Sequence, residues 1–218
     1  VSSDIDICNL ALGHLGDEAN VQAISPPDGT TQAQHCARFY AIVRDATLEM
    51  HAWGFATKRI SLAQLTTPTT TAWKYQYALP SDLIKPLSIY PADTDYAGGI
   101  GDDDNKQPYQ REGNLLLTNT PNAMLRYVSR VTDPTQFTPL FVATFGYKLA
   151  SRLAGPIVKG STGMAVAKEM DSMADKQLAH ATANDANAGN YKPEHQPDWI
   201  SARGVSISQA KHSTTWRR

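Results

Sequence analysis

Thr57-Lys58-Arg59-Ile60-Ser61-Leu62-Ala63-Gln64-Leu65 and, after a polar stretch, Trp73-Lys74-Tyr75-Gln76-Tyr77-Ala78-Leu79 decide the fold class of this chain. Both alternate with a period of two, the pattern of a half-buried strand rather than a helix. The second stretch sets Trp73, Tyr75 and Tyr77 on one sheet face, which is expected to pack on the helices of the chain, and Pro80-Ser81-Asp82 stops it. Thr66 to Thr71, with Pro68, reads as the hairpin or loop between them. Leu83 to Tyr90 reads as another short strand. Pro86 has no N–H to donate and confines that strand to an edge or a bend. Tyr109-Gln110-Arg111-Glu112 and Leu115-Leu116-Leu117 flank Gly113-Asn114, which fits a two-residue primed turn. Ala123 to Val131 is the last strand, and a small antiparallel sheet of about five strands is the simplest account.

Outward from this β-rich centre the period becomes helical. Ser3-Asp4 has the chemistry of a helix start, with acidic groups near the positive end of the macrodipole. Ile5, Cys8, Leu12 and Leu15 then share a face, and Gly16 closes the helix. Ser25-Pro26-Pro27-Asp28-Gly29 is a loop. A second helix runs from Thr31 to Ala52 with a stripe of Cys36, Tyr40, Val43, Thr47 and Met50, and ends at Trp53-Gly54-Phe55, whose aromatics anchor it in the core. Beyond the strands, Thr138 is an N-cap with Pro139 at the first helical position. Val142, Phe145, Leu149 and Leu153 line that third helix up to Gly155-Pro156. After Lys159 to Gly163, a fourth helix extends from Met164 to Ala188. Its face of Met170, Met173, Ala174 and Ala181, with Val166 and Gln177, is built of small and flexible side chains that pack against another helix, within the chain or from a neighbour. The expected fold is therefore α+β. A bundle of about four helices (residues 1–56 and 133–188) carries an inserted small antiparallel β-sheet (57–132) and an extended C-terminal arm (189–218).

The arm loses all periodicity yet holds Trp199, Ile200 and Trp216, with Lys192, Arg203, Lys211, Arg217 and Arg218 against Glu194 and Asp198. A segment with that composition orders on a partner rather than in a core. Charged residues make up 19% of the chain and the net charge is -1, so the basic face of an autonomous DNA-binding regulator is missing. The two cysteines, Cys8 and Cys36, form no disulfide framework or metal-ligand spacing and read as reduced, packed thiols. No run approaches the ~20 apolar residues of a membrane span, and Val1-Ser2-Ser3-Asp4 lacks the basic start of a leader, so a soluble intracellular chain with no membrane contact is expected.

Catalytic chemistry is hard to find. Asp102-Asp103-Asp104-Asn105, in the Gly- and Asp-rich loop from Pro91 to Pro108 with Asp93 and Asp95, does not meet the ligand spacing of an EF-hand. No Ser lies in a G-x-S-x-G elbow, the six His show no metal-protease pairing, and Gly98-Gly99-Ile100-Gly101 lacks the Lys-Ser/Thr of a P-loop. No catalytic residue, metal or cofactor is expected.

The order of these features resembles that of the head-to-tail adaptor proteins of short-tailed phages, the tail tubular protein A or gatekeeper adaptor family. The segments that carry the resemblance are Ile5 to Leu12 with Leu15-Gly16; Glu49-Met50-His51-Ala52-Trp53-Gly54-Phe55-Ala56; Trp73 to Asp82; and Leu125-Arg126-Tyr127-Val128 through Asp133-Pro134, Phe137 and Pro139-Leu140-Phe141. The Ala-rich last helix completes it, and the acidic loop has no counterpart in it. The resemblance implies a virion protein of the tail and neck, made in the host cytoplasm, that forms a homo-oligomeric ring, usually a 12-mer. It implies two further partners, the capsid portal protein and the tail nozzle protein, with genomic DNA passing through the lumen without sequence-specific binding. On that reading Trp199, Arg203, Lys211, Trp216, Arg217 and Arg218 form a portal-binding arm. Met170, Met173, Ala174 and Ala181 form a subunit-packing face, and Thr69, Asp93, Asp102, Asp103 and Asp104 sit in tail-facing loops. The alternative is a tail-associated cell-wall-degrading enzyme, which needs a pair of carboxylates that meet only in space.

Overall fold

A computed structural model describes residues 2–18, 20–65, 72–92 and 106–188. The chain is α+β, as the change of period predicts. Helices α1 (Asp4–His14), α2 (Thr31–Met50), α3 (Pro139–Val158) and α4 (Gly160–Asn187) form one part. Strands β1 (Thr57–Ser61), β2 (Tyr75–Ala78), β3 (Leu83–Pro91), β4 (Tyr109–Glu112), β5 (Leu115–Thr118) and β6 (Ala123–Ser129) form the other.

The helix ends follow from local chemistry. Ser3 and Asp6 make a reciprocal capping box on α1. At its other end Gly16, at φ 72, turns the chain so that the Asp17 and Gly16 N–H groups bond Leu12 and Gly13 carbonyls, a Schellman closure. The Thr30 and Thr138 side chains cap α2 and α3. The α1 face is turned slightly from the expected one, burying Ile7, Cys8, Ala11 and Leu12. Helix α2 stops two residues before Ala52 and leaves Met50 45% exposed. Trp53, by contrast, is fully buried. It donates Nε1–H to the Thr47 carbonyl at 3.0 Å and meets Phe141 edge-on at 5.1 Å. Phe55, Phe137 and Phe145 extend this aromatic cluster.

Helix α3 is the hub, packed against α1, α2 and α4. It runs through Gly155-Pro156, where the sequence reading ended it. Pro156 removes one backbone donor inside the helix, which then continues for two residues. The reversal falls instead at Lys159 (φ 60) and Gly160 (φ 62). Gly163, expected in the loop, lies in α4. A Cβ there would stand 3.0 Å from the Ala154 carbonyl oxygen, so glycine permits the close approach of the two helices.

The insertion is two three-stranded antiparallel sheets, β1-β6-β3 and β2-β5-β4, where the sequence reading had one. After β1 the chain crosses from one sheet to the other. The Leu62 N–H donates to the Ala123 carbonyl at the start of β6, whereas Gln64 bridges Tyr77 of β2. The two sheets enclose a second core of Leu62, Tyr77, Ile89, Leu116, Ala123, Leu125 and Tyr127. Strand β3 is an edge strand with register shifts on both sides of Lys85-Pro86, as a proline requires. Gly113, at φ 58, makes the β4–β5 turn. Strand β1 is exposed along Lys58 to Ser61 rather than half-buried, because it too is an edge. Buried Ser129 donates to the Ala56 carbonyl at 2.9 Å and ties β6 to the helical part.

Candidate functional site

Helix α4 is the element whose surroundings bear most on function. At 28 residues it spans about 42 Å at 1.5 Å per residue. Only Gly163, Ala174 and Ala181 are buried on it. Its contact with α3 is fastened midway by Lys148, whose Nζ lies 2.9 Å from Asp171 and 2.8 Å from Asp175. Burial of Lys148 works against its charge, but the two carboxylates outweigh it and hold the pKa above the ordinary lysine value.

The far end of α4 is held by Asp185. Its carboxylate accepts from the Gly54 N–H at 3.0 Å and contacts His51 Nε2 at 3.1 Å. Gly54 opens the short 3-10 turn (Gly54–Ala56) that leads into β1, so an acidic group caps a helical turn on another part of the chain. Ala188, the last residue before the arm, therefore follows closely on the junction of helices and insertion. Sequence reasoning missed this clamp, since nothing local marks a residue separated from its partner by |i−j| = 131.

The expected packing face is divided. Ala174 and Ala181 are buried inside the subunit, which corrects their assignment to contact with a neighbour: two alanines are what lets α4 lie close on α3. Met170 is partly buried against the helical core, and Met173 is 37% exposed. The face of Trp73, Tyr75 and Tyr77 is expected to pack on the helices, but Tyr75 and Tyr77 belong to the core between the two sheets. Tyr77 is buried between the sheets and donates its OH to Thr120 O at 2.9 Å. Trp73 lies outside β2 and bonds Gln110 at 3.2 Å. The arm residues Trp199, Arg203, Lys211, Trp216, Arg217 and Arg218, and the loop residues Thr69, Asp93, Asp102, Asp103 and Asp104, lie outside the described residues.

Cys8 and Cys36 are both free and buried, and the hydrogen bond to Cys36, then burial, pushes the Cys8 thiol pKa up. Among the described residues no group of three or more His, Cys, Asp or Glu is placed to hold a metal ion. No helix among them is long and apolar enough to cross a membrane. No family model and no curated protein matches the chain.

Proposed function

We propose that the chain is a structural connector subunit, one copy of a ring that joins the capsid portal to the tail nozzle of a short-tailed phage. The observation that carries this reading is α4: a 28-residue helix with three buried residues presents most of its surface outward. A helix of that length held on one side only is suited to side-by-side packing with other copies. The ordered resemblance, from about Ser3 to Ala188, supports the same reading and supplies its partners.

The arm supplies the second contact. A chain of the arm's length can reach at most roughly 100 Å, and residues 189–218 combine tryptophans with a cationic excess. The loops of the insertion contact the nozzle. The test is mass photometry of the chain with and without its cognate portal protein. A portal-bound ring is expected. A portal whose mass is unchanged by excess chain, at low and physiological salt alike, defeats the proposal.

A further inference from the structure

We infer that neighbouring copies meet by laying the outer face of α2 in one copy along the outer face of α4 in the next, with the two helices running in the same direction. The inference rests on the ring reading and names the surface that closes the ring.

Direction comes from the fold. Helix α2 reaches the start of α3 at its end, where Trp53 meets Phe141, and lies farther along α3 at its middle, where Tyr40 meets Phe145 at 5.0 Å, while α4 returns along α3 with Lys148 opposite Asp171 and Asp175. Both therefore run against α3 and with each other. Height comes from the clamp, because His51 and Asp185 are in contact and stand level. A rotation that relates copies about an axis along the helices preserves direction and height. It brings α2 of one copy to α4 of the next in parallel, with residue 51 level with residue 185.

The side chains match close to that register. Less than one helical turn away lies the alignment in which Arg38 faces Glu169, Ile42 faces Met173 and Glu49 faces His180. All six are exposed, Ile42 at 65% and Met173 at 37%. None of Arg38, Glu49 and Glu169 has an opposite charge three or four places along its own helix. None forms an ion pair with a described residue. An exposed isoleucine between Arg38 and Glu49, opposite a methionine between Glu169 and His180, has the apolar centre and polar rim of an interface. Asp45, on the same helix, does not take part, because Arg44 and Arg130 already hold its carboxylate.

The test mixes an Ile42→Cys variant with a Met173→Cys variant, on the cognate portal and in concentrated solution, under mild oxidation. Cys8 and Cys36 are buried and do not compete. A disulfide-linked dimer is expected in the mixture and not with either variant alone. Arg38→Glu and Glu169→Arg should each weaken association about tenfold, and the two together should restore it. Self-linkage of Ile42→Cys alone would mean a two-fold contact between α2 helices and would overturn the inference. Rings that form without the mixed disulfide would also overturn it while leaving the ring reading intact. Absence of both rings and disulfide would overturn the two together.

Discussion

At the scale of single residues, Trp53 carries the largest consequence. It is fully buried, lies edge-on to Phe141 and satisfies the last turn of α2 through the Thr47 carbonyl. Trp53→Ala is expected to cost about 3–5 kcal/mol, read as a lower urea midpoint. Trp53→Phe keeps an aromatic ring but leaves the carbonyl without its indole donor, and the expected loss is about 1–3 kcal/mol. Asp28 is the residue with a readable pH response. It accepts from the Gln22 N–H at 2.8 Å and from the Thr30 N–H and Oγ1 at 2.9 and 2.6 Å. The Gln22 N–H first, and then Thr30, hold its pKa down to about 2. The folded value lies below the unfolded one of about 3.9, so the stabilisation is present above the unfolded value and is lost as pH falls through about 2. An NMR titration should show the Gln22 and Thr30 amide shifts moving together near pH 2. Movement centred near pH 4 would mean that the carboxylate does not hold this loop.

At the scale of elements, α4 separates two kinds of position. Ala174 and Ala181 face α3 with no room to grow, so Ala174→Leu or Ala181→Leu should overpack the helix pair and cost about 1–3 kcal/mol each. Met164, 75% exposed, should tolerate Met164→Ala within about 0.5 kcal/mol. Thermal denaturation distinguishes them, and equal melting temperatures for all three variants would mean that α4 does not pack on α3 through its alanines.

For the whole molecule, the arm and the folded part are expected to be separable. Both hydrophobic cores are built from residues between Ile7 and Ala181, and the clamp at Asp185 closes the helical part just before the arm begins. A chain ending at Ala188 should melt with the full-length protein, yet fail to join the portal. Co-sedimentation with portal measures the second effect, and equal affinity for the two chains would remove the arm from its proposed role.

The sequence by itself determined the type and order of elements, because period, caps and turns act over a few residues. Ser3 and Thr138 start helices, Gly113 makes a hairpin, and Pro86 restricts its strand to an edge wherever that strand lies. Which surface covers each face was decided by the tertiary structure. An alternating strand such as Tyr75-Gln76-Tyr77 needs a cover for its aromatic face but does not specify one. The crossing at Leu62 to Gln64 put a second sheet there instead of the helices. The same holds for α4. Small residues at 174 and 181 announce close packing, but only the reversal at Lys159-Gly160 turns that face onto α3 and leaves Met173 outside. The clamp of Asp185 on Gly54 has no local signature at all, since it arises from two chain segments that the fold brings together.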